Sequence, residues 1–370
     1  MNNMANKRIM LTTTSLTGGG AERVLTVWAN ELSELGYAVS ILVAGRVENE
    51  YQVSDRVKVY SVCDNYRDYQ NLNFKQKIKL RRNILIKEAP EFLISFLPHI
   101  QVLSMLSSLG LKIKRIDTVR ISPWNAFKKD DLRHTFLWKL SMYTCHRLIL
   151  QTAEQAEYFG KSIQKKCVVI PNPISERSIE YYKTGFEDVP RKMIAAGRIS
   201  SQKNYKMMID AFTITACQNP KLDFTLDIYG SEDGLSVKEL EDYVQSKKMS
   251  DRIHFMGRSN ELYKKLCASD IFLMSSDCEG MPNALIEAMA SQLVCISTDC
   301  RTGPKDLIDD GINGYLVHTG NAESMADSMK KALELSKNDR IAMGQKARSK
   351  VLTLCSKENS RDVLTEILRG

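Results

Sequence analysis

The chain lacks the sequence features of membrane-spanning, secreted and zinc-binding proteins. No apolar run approaches the roughly 18 residues that a transmembrane helix needs. The apolar start is interrupted by Thr12, Thr13 and Thr14, so a secretory signal peptide is not expected. The nine cysteines include no C-x-x-C pair and lie beside no histidine cluster, which argues against a zinc site. Unpatterned cysteines in a chain of this size are typical of a reducing, cytoplasmic compartment.

Composition excludes the disordered and fibrous classes, and charge points to an anionic partner. Of 370 residues, 43% are apolar and 26% charged, close to soluble globular averages. Residues 1–170 contain 25 Lys and Arg against 15 Asp and Glu, whereas the remainder contains 27 against 29. A basic N-terminal half favours nucleic acid, a membrane surface or a phosphorylated substrate, although a solvated surface remains an alternative. No motif interleaves basic and aromatic residues, so nucleic acid is not expected.

Short β-rich runs alternate with helical patterns through both halves, which predicts parallel sheets covered by helices. The predicted strands are Arg8–Thr14, Tyr37–Val43, Val57–Val62, Phe92–Phe96, Ile116–Ile121, Leu148–Gln151, Met193–Ala196, Phe224–Tyr229, Ile253–Met256, Ile271–Met274, Val294–Ser297 and Tyr315–Val317. The predicted helices are about 22–35, 74–88, 99–109, 131–144, 204–216, 235–247, 283–291 and 321–335.

The prolines of Pro171-Asn172-Pro173 favour a domain boundary, because they fit neither a helix nor a central strand. We therefore predict an α/β protein of two Rossmann-like domains facing a central cleft. Residues 1–170 form the first domain, 171–350 form the second, and 351–370 form a C-terminal helix that crosses back to the first. Ligands of such sheets bind beyond the carboxyl ends of the strands.

Three strand-to-helix loops carry candidate ligand groups. Gly18-Gly19-Gly20 precedes the first predicted helix, where backbone N–H groups attract an anion. It lacks the G-x-G-x-x-G spacing of a nicotinamide site, and a simple flexible turn is the alternative. Gly197, Arg198 and Lys203 follow a strand of the second half, and two cations on one loop suit a diphosphate. The alternative is a pair of ordinary surface cations.

The third loop runs from Glu279 to Glu287 and opens a predicted helix at Asn283. Carboxylates accept hydrogen bonds from sugar hydroxyls, and the helix N-terminus favours an anion. Asn283 and Glu287 are four apart and share one helix face. The alternative is a capped helix with a surface glutamate.

Seven motifs along the chain resemble those of glycosyltransferase family 4, retaining enzymes of the GT-B fold. The resemblance covers about residues 8–335, and Glu279 to Glu287 matches the family's E-x7-E signature. The other stretches are Gly-Gly-x-Glu-Arg at the start, Pro171-Asn172-Pro173, Gly197-Arg198 with Lys203, Phe255-Met256-Gly257, Thr302-Gly303-Pro304 and Asn313-Gly314-Tyr315-Leu316-Val317.

The resemblance implies a role for each matching residue. Glu279 would hold the donor sugar and Glu287 the ribose, while Arg198 and Lys203 would neutralise the leaving diphosphate. Arg258 is a further donor-side candidate, and His99 is a candidate on the acceptor side. Backbone groups of the donor site would come from Gly19, Gly20, Gly197, Gly280, Met281, Pro282, Asn283, Ala284 and Leu285.

The implied activity is retaining transfer of a hexose or N-acetylhexosamine from a nucleotide sugar to a growing, lipid-linked glycan. UDP is favoured as the nucleotide because the glycine-rich start and Glu-Gly-Met-Pro-Asn resemble UDP-sugar enzymes of bacterial polysaccharide and lipopolysaccharide assembly. No metal or cofactor is expected, since the chain has no Asp-x-Asp triplet. A nucleotide-sugar epimerase and a non-catalytic sugar-nucleotide-binding subunit remain alternatives on this fold.

A basic amphipathic segment, 74–87, predicts contact with an anionic membrane. It would place the protein peripherally at the inner face of the plasma membrane; a packing helix with a charged outer face is the alternative. Its cations are Lys75, Lys77, Lys79, Arg81, Arg82 and Lys87, and its apolar residues are Phe74, Ile78, Leu80, Ile84, Leu85 and Ile86.

Overall fold

The computed structural model describes residues 7–17, 19–48, 50–126 and 132–369, with the side chains of 132–134 left aside. The chain divides into two compact units. Unit 1 contains the residues up to Pro173 together with those from Lys357, and unit 2 spans Ile174–Ser356. No helix within the described ranges is long and apolar enough to cross a bilayer.

Unit 1 is built on a seven-stranded, all-parallel sheet of order β3-β2-β1-β4-β5-β6-β7. Its strands are β1 Arg8–Thr12, β2 Ala38–Arg46, β3 Lys58–Asn65, β4 Phe92–Ser95, β5 Lys114–Thr118, β6 Arg147–Leu150 and β7 Cys167–Val169. Its helices are α1 Gly20–Glu34, α2 Tyr66–Asn71, α3 Phe74–Glu88, α4 Pro98–Ser107, α5 Pro123–Ala126, α6 Leu132–Thr144, α7 Lys161–Gln164 and the C-terminal α16 Lys357–Arg369, with a 3₁₀ turn at Glu154–Tyr158.

Right-handed crossovers divide these helices between the two faces of the sheet. The connection from β1 to β2 runs one way along the sheet and carries α1, on which α16 packs. Connections from β3 onward run the other way, so α3, α4 and α6 form one layer on the opposite face, with α4 in contact with both neighbours.

Unit 2 repeats the scheme with six parallel strands in the order β10-β9-β8-β11-β12-β13. They are β8 Lys192–Ala196, β9 Thr225–Tyr229, β10 Ile253–Gly257, β11 Ile271–Met274, β12 Val294–Thr298 and β13 Tyr315–Val317. Its helices are α8 Glu176–Glu180, α9 Tyr205–Gln218, α10 Val237–Ser246, α11 Leu262–Cys267, α12 Asn283–Ala290, α13 Pro304–Leu307, α14 Ala322–Glu334 and α15 Lys337–Leu354, with a 3₁₀ turn at Ser201–Lys203.

Helix α3 differs from the predicted basic face, because one of its cations points into the protein. Arg81 is 0% exposed, and its Nη2 donates to Thr12 Oγ1 at 2.7 Å. Burial lowers the pKa of its guanidinium to about 10. Arg82 donates to the carbonyls of Ser107 and Leu109. Both arginines therefore bond to unit 1 itself, so Arg81 does not face outward with the lysines of the predicted basic segment 74–87.

Candidate active site

The candidate site of unit 2 lies where the strand order reverses. β8 and β11 are neighbours, and the connections that leave them run to opposite sides of the sheet. Such a switch point leaves a crevice at the carboxyl ends of the two strands. The loop after β8 carries Gly197, Arg198 and Lys203, and the loop after β11 carries Glu279. The fold thus brings together two loops that are far apart in the sequence.

At the centre of the site, Lys203 and Glu279 form an ion pair with Nζ and Oε1 2.6 Å apart. Both side chains are largely buried, at 15% and 10% exposure. Glu279 adds to the effect of burial in raising the pKa of the Tyr205 hydroxyl, and likewise that of the Cys300 thiol. The negative charge of Glu279 therefore acts on these neighbouring groups, as expected in a largely buried site.

Backbone and side-chain hydrogen bonds join the two loops on either side of this ion pair. Asp277 N donates to Gln202 O at 2.9 Å, and Gln202 Nε2 donates to Cys278 O at 2.7 Å. Asn204 Nδ2 donates to Asp277 Oδ1 at 2.9 Å, and Ser275 Oγ donates to Lys203 O at 2.7 Å. Asn204 also caps α9 in a left-handed conformation, φ +45°. These bonds fix the backbone from which Lys203 and Glu279 project.

A third loop, which follows β12, contacts the backbone of Glu279 and Gly280. Thr302 is fully buried, and its Oγ1 donates to the Glu279 carbonyl. Gly303 follows with φ +93°, and a Cβ there would lie 2.5 Å from Gly280 O. Only glycine fits this conformation and this approach. Thr302 and Gly303 therefore set the position of the Glu279–Gly280 backbone.

Gly197 lies against a second glycine in the same crevice. A Cβ on Gly230, just after β9, would lie 1.8 Å from Gly197 O. The buried Tyr205 hydroxyl donates to the same carbonyl at 3.0 Å. The start of the Lys203 loop is therefore held by backbone packing and by a side chain of α9.

Arg198 and Arg258 are exposed residues beyond the carboxyl ends of β8 and β10. Arg198 Nη1 is 2.6 Å from Asp233 Oδ2, with side-chain exposures of 59% and 49%. Exposed pairs of this kind contribute little to stability, so Arg198 is readily available to another anion. Arg258 is exposed and follows Gly257, which ends β10 with φ +66°. The structure thus brings Lys203 and Glu279 together, and pairs Arg198 with a different acid.

The segment from Gly280 to Leu285 leads into α12, whose N-terminus lies at the same end of β11. Gly280, Met281, Pro282 and Leu285 are buried. Asn283 begins the helix, and Glu287 follows one turn later at a partly exposed position. The first backbone N–H groups of a helix lack partners within it, so they can meet an anion.

Unit 1 has an equivalent switch point between β1 and β4. There, His99 Nε2 lies 2.8 Å from Thr14 Oγ1, and Leu97 before it is held at φ +67°. Gly19 caps α1, and a Cβ there would lie 1.9 Å from Glu22 Oε2, so the Glu22 carboxylate fills the space beside Gly19. Gly18 lies outside the described residues.

Sequence reasoning missed the residues that position the pair. They are Gln202, Tyr205 and Gly230, together with Asp233, which pairs with Arg198, and their place near the ends of predicted strands was the available signal. Within the described ranges, no group of three or more His, Cys, Asp or Glu is placed to hold a metal.

Two family models match the chain in succession: Glycosyltransferase Family 4 over residues 18–177, and Glycosyl transferases group 1 over residues 177–350. The chain belongs to glycosyltransferase family 4. It is a glycosyltransferase with the GT-B fold, as the sequence motifs predict.

Relatives of this glycosyltransferase include two transferases of Campylobacter jejuni. One is N-acetylgalactosamine-N,N'-diacetylbacillosaminyl-diphospho-undecaprenol 4-alpha-N-acetylgalactosaminyltransferase, 27% identical over 96% of this chain and 97% of the relative. The other is an alpha-1,4-N-acetyl-D-galactosaminyltransferase named for a PP-undecaprenol-linked saccharide, 28% identical over 88% and 87%. The structure of Anabaena HepE with UDP-glucose shares the fold, with a TM-score of 0.77 and 17% identity over 98% of this chain and 99% of HepE.

Proposed function

We propose that this glycosyltransferase moves a hexose or N-acetylhexosamine from a UDP-sugar to a lipid-linked glycan with retention of anomeric configuration. The donor binds unit 2 and the acceptor binds unit 1. The observation that carries the donor assignment is the Lys203–Glu279 pair, which presents an ammonium and a carboxylate side by side at the switch point. A nucleotide sugar offers the complementary groups, a diphosphate and a ring of hydroxyls.

The proposed chemistry uses groups already in place. Lys203 and Arg198 stabilise charge on the departing diphosphate, assisted by the N-terminus of α12. Glu279 accepts hydrogen bonds from donor-sugar hydroxyls, and Glu287, one turn into α12, accepts them from the ribose. Within Gly280 to Leu285, the residues other than Pro282, which has no N–H, donate backbone N–H groups to the sugar and phosphate.

Retention is assigned to a direct front-face transfer. The acceptor oxygen bonds to the anomeric carbon as the bond to the phosphate oxygen breaks, and the hydroxyl proton passes to that oxygen on the same face. A double displacement would need a carboxylate close to the anomeric carbon. Glu279 and Glu287 are assigned here to hydroxyl groups of the donor, so the proposal assigns no carboxylate as a nucleophile.

Support for a lipid-linked acceptor comes from the relatives, both of which are named for undecaprenol-linked saccharides. The basic excess of the N-terminal half fits an acceptor whose diphosphate lies at a membrane surface. We place the reaction at the cytoplasmic face of the plasma membrane, where the nucleotide sugar and the lipid-linked acceptor meet. His99 on unit 1 is the acceptor-side candidate.

The test incubates purified protein with UDP-sugars and GDP-sugars, with and without polyprenyl-diphosphate-linked oligosaccharides. We expect acceptor-dependent release of UDP, and NMR of the product should show the anomeric configuration of the donor. An inverted linkage would overturn the retaining assignment. Isomerised donor in the arm without acceptor would overturn transfer itself, and GDP-sugar preference would overturn the nucleotide assignment.

A further inference from the structure

An exposed apolar row runs along the outer face of α6. Phe136, Leu140 and Tyr143 are 66%, 38% and 53% exposed. Their spacing of four and three residues places them within one narrow stripe of the helix. The opposite face is apolar as well, since Trp138 and Met142 are buried. α6 therefore presents apolar side chains on its exposed face as well as on the face that packs against unit 1.

Within the described part of this helix and the strand that follows it, the charged residues are all basic. No Asp or Glu occurs between Leu132 and Ala153, whereas Lys139 and Arg147 lie in that stretch and Lys139 is exposed on α6. Lys166 joins them at the end of the helix, because its Nζ donates to Tyr143 O at 2.5 Å. Lysine stems lie along apolar surface while their ammonium groups stay at the polar boundary.

The neighbouring helix adds to the same surface. α4 packs against α6, and Leu109 just beyond it is 60% exposed. No acid occurs between Phe92 and Ile116, while Lys112 and Lys114 are exposed there. An aromatic and aliphatic row flanked by lysines matches the boundary of a bilayer, where Phe and Leu enter the acyl region and Tyr and Lys remain at the headgroups.

We propose that the outer face of α6 is the element of this glycosyltransferase that inserts into an anionic lipid surface. The inference rests on the proposed function, since a lipid-linked acceptor brings the enzyme to such a surface. It assigns the contact to α6 rather than α3. The exposed apolar residues of α3, Phe74, Leu80 and Ile86, are six positions apart, so they point in three directions about 120° apart.

The test compares two triple variants in cosedimentation with phosphatidylcholine vesicles, with and without phosphatidylglycerol. Phe136→Ser, Leu140→Ser and Tyr143→Ser together should lower binding to the anionic vesicles by about 100-fold, at roughly one kcal/mol for each half-buried side chain. Phe74→Ser, Leu80→Ser and Ile86→Ser form the matched control and should bind like wild type. Wild-type vesicle binding by the α6 variant would overturn the proposal. So would a loss of binding in the α3 variant as large as that in the α6 variant.

Two further measurements separate insertion from other outcomes. A Phe136→Trp variant should show blue-shifted emission with anionic vesicles alone, and unshifted emission would contradict insertion. Sedimentation velocity without lipid should give the same oligomeric state for wild type and the α6 variant. If wild type formed an oligomer that the α6 variant did not form, the apolar row would instead bind a second copy of the chain, and the proposal would be overturned. In the α6 variant, donor hydrolysis and transfer to a short-chain, water-soluble acceptor should equal those of wild type. A loss of vesicle binding with these activities intact would concern only the docking surface, whereas absence of these activities in wild type would contradict the proposed function.

Discussion

At the scale of single residues, Lys203 has two successive partners in the proposed cycle: Glu279 in the structure described here, and a phosphate when donor is bound. Lys203→Ala should therefore weaken UDP-sugar binding by about 10- to 100-fold, since hydrogen bonds to charged groups contribute about 1.5–3 kcal/mol. Isothermal titration calorimetry measures this directly. Lys264→Ala, which breaks the exposed pair with Glu261 on unit 2, is the matched control and should leave affinity unchanged. Wild-type affinity in Lys203→Ala would refute the phosphate assignment.

Alanine substitutions of the two glutamates are predicted to have different effects on binding and turnover. Glu287→Ala should weaken free UDP and UDP-sugar alike, because the ribose is common to both. Glu279→Ala should leave the affinity for free UDP undiminished, since it removes the acid that holds Lys203 at 2.6 Å, but it should lower kcat. UDP titrations and steady-state kinetics on both variants decide the assignment. Loss of UDP binding in Glu279→Ala alone would require the roles to be exchanged.

At the scale of the element, the loop after β12 is predicted to control the donor loop through Gly303. Gly303→Ala combines a strained φ of +93° with a Cβ only 2.5 Å from Gly280 O, so the Glu279–Gly280 backbone has to move. Gly311→Ala is the matched control, because it has φ +72° and nothing within 4 Å of the new Cβ. The control should lose only about 1–2 kcal/mol of stability. Gly303→Ala should in addition lose donor affinity and kcat, and equal kinetics in the two variants would contradict the supporting role.

A buried acid between the sheet and the α4–α6 layer predicts a pH dependence of unit 1. Burial raises the pKa of Asp117 to about 6, although Arg115 at 3.8 Å and the Ser141 hydroxyl at 2.5 Å both favour the charged form. The folded state thus binds its proton more tightly than the unfolded state. The stability that this provides is complete below about pH 4 and is lost as the pH rises through about 6.

Asp117→Asn should remove this dependence, because the amide keeps the shape of the protonated carboxyl. Relative to wild type, its free energy of unfolding should rise by up to about 3 kcal/mol between pH 4 and pH 6 and then level off. Urea unfolding followed by tryptophan fluorescence measures unit 1 selectively, since Trp28, Trp124 and Trp138 all lie there. A constant difference across that range would show that Asp117 does not titrate as described.

Periodicity and strand-end rules predicted most strands and many of the helices, and the elements that they missed include both short and long ones. Each of the twelve predicted strands overlaps an observed one, because buried parallel strands leave clear apolar runs. β7, with three residues, is too short to show a period, and helix α15 was hidden by its scattered charges. Arg81 was assigned outward because arginines usually are, whereas its bond to Thr12 depends on the sheet beneath.

At the scale of the whole molecule, the sequence predicted that Lys203 and Glu279 lie at one sheet edge but not that they touch. Their contact depends on the adjacency of β8 and β11, on the hydrogen bonds from Gln202 and on the packing of Gly303, none of which leaves a local pattern. The proposed roles follow from the motifs, whereas the pairing of Lys203 with Glu279 follows from the tertiary structure.

The last helix connects the end of the chain to the first unit. Leu364, Ile367 and Leu368 of α16 are buried in the unit 1 core together with Leu25 and Trp28. Lys7 Nζ donates to Leu368 O at 2.7 Å, and α16 begins at Lys357, beyond the last residue of unit 2. Damage to α16 should therefore appear in the unit that is distant from it in sequence.

Leu364→Ala is predicted to destabilise unit 1 by about 2–5 kcal/mol, because it opens a cavity in a fully buried position. The tryptophan-monitored unfolding midpoint should fall, while hydrogen exchange within Ile174–Ser356 and the affinity for UDP should stay at their wild-type values. Glu366→Ala, an exposed position on the same helix, should change neither readout. If Leu364→Ala left the tryptophan transition in place and instead accelerated exchange in unit 2, α16 would stabilise the adjacent unit, and the assignment of this helix to the first core would be wrong.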